Sequence, residues 1–376
     1  MKYNFLKIEE HIKNEISTKR ISGASILIYK DGEIIYDNNF GYANIEKGIK
    51  ISDNTRFRLA SMTKPITAVA TMIAVEQGLF KLDDYAYKYL PEIKDLSLKD
   101  ENFNNISEEK YNFTIRQILR HNAGFAVSDN ESRAIKLIKD EDLHDVKDCI
   151  KYVKSVGLNF IPGTKMGYGG SYAYNIVVRI IEVTSGMKYE DFLKKYLFEP
   201  LEMEHTSYYF NKNDEKAISY KSIDGKLIYF DDLNRGFDCY YPGYNSGGAG
   251  LISTKRDYYN FALMLLNEGV YNGKRLLKKE SFLELIKYDP TPNLINGGIE
   301  TFGLSFFVRA PNYSDWQKLP SGTFGWSGAY GTHFWVDPIN KMIVIYMHNS
   351  STFGGAGASQ NIQLEDDVVE TFGIKR

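Results

Sequence analysis

The sequence predicts an α+β sandwich fold: an antiparallel sheet built from both chain ends and flanked by helices, with a helical subdomain inserted between the two halves. The first observation is a hairpin, in which β-branched and aromatic runs at 24–30 and 33–37 flank Asp31-Gly32, a dipeptide typical of tight hairpin turns. The second is that strand patterns return after Gly247. The third is that apolar residues recur mostly at helical spacing in between.

Each element follows from a local pattern. Charged residues interrupt the apolar ones from Met1 to His11, which predicts an amphipathic first helix. Helical spacing predicts further helices from Thr114 to Leu119 and from Tyr174 to Val183. Short apolar runs and a final polar–apolar segment predict later strands at 302–308, 324–327, 332–336 and 342–347, a turn at 337–340 and a closing helix at 360–372.

We assign residues 1–376 to a single domain of two subdomains. Residues 1–64 and 241–376 form the α/β subdomain, and residues 65–240 form the helical one. A functional group near their junction would lie in the cleft between them, which is a common place for a ligand pocket.

Composition favours small-molecule chemistry over macromolecular binding. The formal net charge is −2, with acids and bases interspersed, so we expect neither nucleic acid nor an anionic membrane surface as a partner. No apolar run approaches the length of a membrane span, and the N-terminus lacks the features of a secretory signal. We therefore expect a cytoplasmic protein, and the sequence leaves the oligomeric state open.

Cysteine and histidine usage indicates no metal or redox centre. The two cysteines, Cys149 and Cys239, could form at most one disulfide and lack CxxC spacing, so we expect buried thiols. The six histidines show no metal-ligand spacing. We expect no cofactor, and we predict His121 and His333 to be hydrogen-bonded structural residues.

The most informative motif is Ser61-Met62-Thr63-Lys64, a serine and a lysine three residues apart at a predicted helix start. Residues three apart share one face of a helix, so the amine can lie beside the hydroxyl as a nucleophile with its base. Ser107 and Lys110 show the same spacing in a polar stretch. Apolar residues follow Lys64 but not Lys110. The apolar run after Lys64 predicts a helix that is buried nearly all round. A lysine at the start of such a helix indicates a functional role for Lys64.

A serine hydroxyl needs a proton acceptor, a proton donor for the leaving group and dipoles for the oxyanion. No histidine is well placed by sequence, and the chain contains no G-x-S-x-G elbow. A histidine-dependent triad is therefore the weaker interpretation. The plain structural alternative for Ser61 is a helix cap.

Five segments occur in order along the chain: 56–70 around Ser61, 114–124, 162–168, 247–258 and 325–338. Together they resemble the serine β-lactamase and penicillin-binding superfamily, specifically its class C β-lactamase and family VIII carboxylesterase branch. The resemblance covers residues 20–348 and implies the β-lactamase/transpeptidase-like fold. Several ordered segments are far more specific than one short motif.

The resemblance implies that Ser61 is the acylated nucleophile and that Lys64 is its helical partner. It implies that Tyr168 acts with Lys64 as general base and then returns the proton to the leaving group. The complete family motif, Tyr-x-Asn, is found at Tyr36 and Tyr258. Tyr168 is nevertheless the matching tyrosine, because the Pro-Gly-Thr segment of the family precedes it. A phenol releases its proton only near pH 10 unless a cation such as Lys64 lies beside it.

The resemblance further implies that the backbone N–H groups of Ser61 and Ala329 form the oxyanion hole. A glycine at 328 would let a substrate approach the strand closely, because it has no Cβ. The residues that we assign to substrate binding on this resemblance are Gly170, Trp326, Ser327 and Gly328.

Two departures from the family pattern point towards esters. Gly170 replaces the motif's asparagine, which would hold the lysine, and Trp326 replaces a lysine that pairs with a substrate carboxylate. An indole suits a neutral acyl or alcohol group, although Trp326 could also be a packed core residue. We expect a serine carboxylesterase on short-chain esters with a small-molecule acyl substrate; the alternatives are β-lactam or D-amino-acid peptide hydrolysis, and a sensor that acylates without turnover.

Overall fold

The computed structural model describes residues 3–126, 144–231, 243–289, 294–295, 300–310 and 319–374. The helices in these ranges are Leu6–Ser17 (α1), Thr63–Glu76 (α2), Ile115–Leu119 (α3), Val146–Ile150 (α4), Val153–Val156 (α5), Gly170–Ser185 (α6), Tyr189–Leu193 (α7), Lys255–Leu266 (α8), Lys279–Leu285 (α9) and Ser359–Phe372 (α10).

The strands in the same ranges are Gly23–Lys30 (β1), Glu33–Asn44 (β2), Ile49–Lys50 (β3), Phe57–Arg58 (β4), Leu96–Lys99 (β5), Asn105–Tyr111 (β6), Ser219–Ile223 (β7), Lys226–Asp231 (β8), Ile252–Ser253 (β9), Val270–Tyr271 (β10), Lys274–Arg275 (β11), Leu294–Ile295 (β12), Glu300–Phe302 (β13), Phe307–Arg309 (β14), Phe324–Ser327 (β15), His333–Asp337 (β16) and Met342–Met347 (β17).

One sheet joins the two ends of the chain. Among the described residues, nine strands pair in the order β12-β13-β14-β15-β16-β17-β1-β2-β3, and every neighbouring pair is antiparallel. β1 lies beside β17 with Ile26 opposite Tyr346. This topology confirms the predicted fold class, because strands from before and after the helical insertion form one sheet.

Helices cover both faces of this sheet. His333 and Phe334 are neighbours on β16, so their side chains point to opposite faces. Phe334 packs edge-on against Tyr258 of α8, with ring centroids 4.9 Å apart, whereas His333 contacts Glu365 of α10. α1 packs against α10. Burial on both faces explains why β16 and β17 are apolar along nearly their whole length.

The region predicted as one strand at 302–308 is instead a strand, a turn and a strand. β13 ends at Phe302, β14 begins at Phe307, and the N–H of Gly303 donates to the carbonyl of Phe306 across 3.0 Å. A Cβ on Gly303 would lie 2.2 Å from the carbonyl oxygen of Leu285, so the turn is pressed against the end of α9. The turn is buried and apolar, and periodicity alone does not separate such a turn from a strand.

The inserted segment contains hairpins as well as helices, since β5 pairs with β6 and β7 with β8. Ser107 and Lys110 both lie on β6, where residues three apart face opposite sides. The second Ser-x-x-Lys match therefore forms no pair. Cys149 is buried, whereas Cys239 and the predicted subdomain boundary at 240 and 241 lie outside the described residues. No helix in the described ranges is long and apolar enough to cross a membrane.

His348, just after β17, is a buried imidazole without polar partners. A Cβ on Gly331 would lie 1.8 Å from its Cε1, and neither ring nitrogen has a hydrogen-bond partner within the described part of the chain. Burial, reinforced by the nearby His11, His333 and Arg20, lowers the pKa of His348 to about 3.

Acidification therefore destabilises the fold through His348. The unfolded chain binds a proton on this residue near pH 6.5, whereas the folded chain does so only near its lowered pKa. The free energy of unfolding falls by about 1.4 kcal/mol per pH unit in this window from this group alone. Urea denaturation at pH 7 and pH 5 measures the loss, and His348→Gln reduces it. An unchanged pH dependence in His348→Gln, or an equal reduction in the exposed-site control His205→Gln, contradicts this account.

Candidate active site

A cavity of about 390 Å³ brings together residues from distant parts of the chain. Five of the predicted site residues line it: Ser61, Tyr168, Trp326, Ser327 and Ala329. Its apolar wall consists of Met166, Tyr168, Phe302, Phe307, Trp326 and Ile362. Its polar wall consists of Ser61, Arg309, Ser327, His333, Asn361 and Glu365.

Ser61 lies in a tight turn immediately before α2. The 3₁₀ turn Ala60–Met62 precedes Thr63, and Ala60 has a φ of +44°, a left-handed conformation that is uncommon for residues with a side chain. No side-chain capping hydrogen bond is present at the start of either helical turn. The capping alternative for Ser61 therefore has no support in the geometry.

Lys64 is buried beside Ser61. Its side chain is on the first turn of α2 and the residue is 1% exposed. Nζ lies 3.2 Å from Ser61 Oγ and donates to the carbonyl of Gly248 across 2.7 Å. It also lies over the rings of Tyr168 and Tyr174, 4.8 Å and 5.2 Å from their centroids. A carbonyl, a hydroxyl and two ring faces together compensate the buried charge.

The glycine-rich segment at 247–250 makes this burial possible. A Cβ on Gly247 would lie 2.4 Å from Val178 Cγ2, and a Cβ on Gly248 would lie 2.3 Å from the Cα of Ser171. The segment therefore packs against α6 without side chains, while its carbonyls face α2. The hydroxyl of Thr67 donates to the Gly247 carbonyl across 2.6 Å, which fixes the register of the two elements.

Tyr168 lies between Lys64 and a buried histidine. The rings of Tyr168 and His121 have centroids 4.5 Å apart. Burial, together with the charge of Lys64, holds the pKa of His121 well below its usual range. The neutral ring accepts the Gly169 N–H at Nδ1 across 3.2 Å. His121 is thus the hydrogen-bonded residue that the sequence predicted, and it supports the backbone next to Tyr168.

Gly170 is the first residue of α6 and has a φ of +55°. It is not among the described residues that line the cavity, so its predicted substrate contact is absent from this geometry. The lysine anchor that we expected to be lost with the family's asparagine is supplied by the Gly248 carbonyl.

The two residues predicted to supply the oxyanion donors line one cavity. Neither the Ser61 nor the Ala329 N–H donates to an acceptor in the part of the chain that the structure describes, and both residues line the cavity. Gly328 is not among the described residues that line the cavity, and a Cβ there would lie 2.2 Å from both Leu59 O and Thr332 Oγ1. Its missing side chain lets the turn after β15 pack against Leu59, two residues before Ser61.

Trp326 forms part of the apolar wall. Its ring lies 4.9 Å from Phe302, edge-on, and 5.6 Å from Tyr168, measured between centroids. Among the described residues, no acceptor bonds its indole N–H. The residue at the family's lysine position therefore presents an aromatic surface to the cavity.

A second polar group in the same cavity was missed by the sequence analysis. Ser327 Oγ lies 2.7 Å from His333 Nδ1, and His333 Nε2 lies 3.1 Å from Glu365 Oε1. Arg309 Nη2 lies 3.2 Å from Glu365 Oε2. The sequence predicted a hydrogen-bonded His333, and this is confirmed. Ser327 lies in the same sequence segment as His333, but Glu365 on α10 and its partner Arg309 on β14 lie far along the chain, and no motif links them to His333.

No group of three or more His, Cys, Asp or Glu side chains in the described ranges is arranged to hold a metal ion. The described site itself places a serine beside a buried lysine, with a tyrosine next to both.

A family model described as Beta-lactamase matches residues 8–367. Protein Rv1367c from Mycobacterium tuberculosis strain H37Rv is 27% identical over 350 residues, which cover 87% of this chain and 85% of that protein.

Two solved structures share the fold closely. EstCE1, described as a hydrolase with promiscuous acyltransferase activity, superposes with a TM-score of 0.83 at 22% identity and covers 96% of this chain and 97% of its own. A variant of simvastatin synthase LovD from Aspergillus terreus superposes with a TM-score of 0.77 at 19% identity and covers 98% and 95%.

Replacing Gly248 with alanine tests the role of the glycine segment. The added Cβ meets backbone at Ser171, so Gly248→Ala lowers the free energy of unfolding by about 1–3 kcal/mol and displaces the carbonyl that holds Lys64. Urea denaturation and ester turnover measure the two effects. Ala249→Gly is the neighbouring control, because it loosens the same segment without adding atoms. Full stability and turnover in Gly248→Ala contradict the assigned role.

Proposed function

Because this chain belongs to the Beta-lactamase family, we propose that it is a serine hydrolase that forms an acyl-Ser61 intermediate and acts on short-chain carboxylic esters. The observation that carries the proposal is the buried Lys64 Nζ, which lies 3.2 Å from Ser61 Oγ, while Ser61 lines a cavity together with Tyr168 and Ala329. A nucleophile, a base and oxyanion donors in one cavity are the parts that acyl transfer requires.

Acylation follows from these positions. Ser61 Oγ forms a bond to the ester carbon and gives its proton to the base formed by Tyr168 and Lys64. Lys64 Nζ lies 4.8 Å from the centroid of the Tyr168 ring, so the two parts of this base are side by side. The N–H groups of Ser61 and Ala329 donate to the carbonyl oxygen as it becomes negative. The bond to the leaving alcohol then breaks, and the alcohol takes its proton from Tyr168.

The cavity wall supports a neutral, compact acyl donor. Trp326, Phe302 and Phe307 form an aromatic surface where a β-lactam or D-amino-acid peptide would need a cation for its carboxylate. Arg309 also lines the cavity, but Glu365 pairs with its guanidinium. These contacts favour ester hydrolysis over the β-lactamase and peptidase alternatives.

The contacts of Lys64 also argue against a sensor that acylates without turnover. That alternative depended on a poorly anchored lysine, since Gly170 has no amide side chain. The Gly248 carbonyl holds the amine beside Ser61, so Lys64 remains next to the Ser61 oxygen when the acyl group is released.

Two serine and lysine pairs with the same spacing give a matched mutational test. Ser61→Ala abolishes hydrolysis of p-nitrophenyl butyrate, and Lys64→Met lowers kcat by about 10²–10⁴-fold, the usual contribution of a general base. Ser107→Ala and Lys110→Met retain the activity, because those side chains lie on opposite faces of β6. Retained turnover in Ser61→Ala, or equal losses in both pairs, would falsify the proposal.

A substrate panel tests the proposed acyl group. The enclosed aromatic wall predicts that p-nitrophenyl acetate and butyrate are hydrolysed with a higher kcat/KM than the palmitate ester. It also predicts that nitrocefin turnover is weaker than turnover of either short ester. Steady-state kinetics give kcat/KM for each substrate of the panel. A higher kcat/KM for nitrocefin than for the short esters would contradict ester hydrolysis and favour β-lactam hydrolysis.

A further inference from the structure

A chain of hydrogen bonds runs from the Ser61 cavity into the protein. Ser327 and His333 are directly opposite each other on β15 and β16, and their Oγ and Nδ1 atoms are 2.7 Å apart. His333 Nε2 lies 3.1 Å from Glu365 Oε1. The three residues are each at most 4% exposed, yet all three line the cavity that contains Ser61. Serine, imidazole and carboxylate follow one another in the order of a hydrolase triad, but with the two ring nitrogens exchanged, since the serine is on Nδ1 and the carboxylate on Nε2.

Arg309 sets the direction of the hydrogen bonds. Its guanidinium remains protonated and donates to Glu365 Oε2, so Glu365 accepts as a carboxylate and His333 donates to it from Nε2. With a neutral imidazole the buried group of Arg309, Glu365 and His333 has no net charge, which burial favours. His333 Nδ1 is then an acceptor, Ser327 donates its proton to it, and the remaining lone pairs of Ser327 Oγ are available to the cavity.

We propose that Ser327, His333 and Glu365 form a second proton-accepting site, which binds and activates the hydroxyl of the acyl acceptor, water or a small alcohol, that releases the acyl group from Ser61. This inference rests on the function proposed above and assigns the second half of that reaction to separate residues. Ser327 contacts the acceptor as a catalytic residue, whereas His333 and Glu365 act through it as positioning residues.

In the release of the acyl group, the acceptor hydroxyl donates to Ser327 Oγ and its oxygen forms a bond to the acyl carbon. Its proton moves to Ser327 as the Ser327 proton moves to His333 Nδ1, and Glu365 stabilises the imidazolium. The bond between the acyl carbon and Ser61 Oγ breaks, and Ser61 takes a proton from Lys64. His333 then releases its proton to solvent and Lys64 regains one, so the products are free Ser61 and the acid or the new ester.

A separate acylation of Ser327 would use the same geometry, but the surroundings favour the role of a base. The free N–H groups that receive a carbonyl oxygen belong to Ser61 and Ala329, and Lys64 is placed beside Ser61. An acyl group found on Ser327 would overturn the proposal.

The test separates acylation from release. Wild type, Ser327→Ala and Ser327→Thr are mixed with p-nitrophenyl butyrate, and intact-protein and peptide mass spectrometry measures the fraction of Ser61 that is butyrylated at steady state. In Ser327→Ala this fraction rises towards full occupancy and kcat falls at least about 10²-fold, the lower end for loss of a general base. Ser327→Thr keeps a hydroxyl and restores most of kcat, while Glu365→Gln gives an intermediate loss. Ser17→Ala, an exposed serine on α1, is the control for a serine substitution.

The outcomes distinguish this proposal from the preceding one. Loss of acylation in Ser61→Ala with an unchanged kcat and butyrylated fraction in Ser327→Ala overturns the relay and leaves the proposed function intact. Acylation that persists in Ser61→Ala overturns both.

A measurement on the wild type keeps the test decisive if Ser327→Ala does not fold. Transfer of butyrate to 1-propanol saturates with propanol concentration, and methoxyethane, of similar size but without an O–H donor, does not compete. A transfer rate that rises linearly without saturation, or competition by the ether, contradicts a bound acceptor.

Discussion

The site depends on one constraint, the packing of the glycine-rich segment 247–250 against the start of α2. Gly247 and Gly248 have no room for a Cβ on the side of α6, and their carbonyls therefore reach Thr67 and Lys64. A buried ammonium is costly without partners. The Gly248 carbonyl and the tyrosine rings supply those partners, and the same packing holds the amine next to the hydroxyl of Ser61.

The other residues of the site lie on the sheet and on the helix that covers it. The turn after β15 packs its Gly328 against Leu59, just before Ser61, so the Ala329 N–H and the Ser61 N–H share one cavity. α10 covers the sheet face towards which His333 points and adds Glu365. In the two proposals, groups on α2 and beside α6 form the acyl-serine, and groups on β15, β16 and α10 direct the acceptor that removes it. The aromatic wall around Trp326 lies in the same cavity and limits the acyl group.

Much of this arrangement can be predicted from the sequence, because local sequence patterns determine the elements that form it. The hairpin at Asp31-Gly32, the late strands and the buried helix after Lys64 each have a short-range signal, and the order of motifs selects Tyr168 among 28 tyrosines. The turn between Phe302 and Phe307 has no such signal, since it is as apolar as a strand. Glu365 could not be predicted either, because only the folding of α10 onto the sheet brings it to His333. The close contact of Gly328 with Leu59 could not be predicted for the same reason, since it depends on how the turn after β15 packs.

The most direct test of the account is a crystal structure of the wild type after reaction with diethyl p-nitrophenyl phosphate, a neutral organophosphate that stops at the phosphorylated nucleophile. We expect phosphorus bonded to Ser61 Oγ, with its oxygen about 2.7–3.1 Å from the N–H groups of Ser61 and Ala329 and Lys64 Nζ still on the Gly248 carbonyl. An adduct on Ser327 or on any other side chain, or an adduct on Ser61 whose oxygen lies away from both N–H groups, would contradict it.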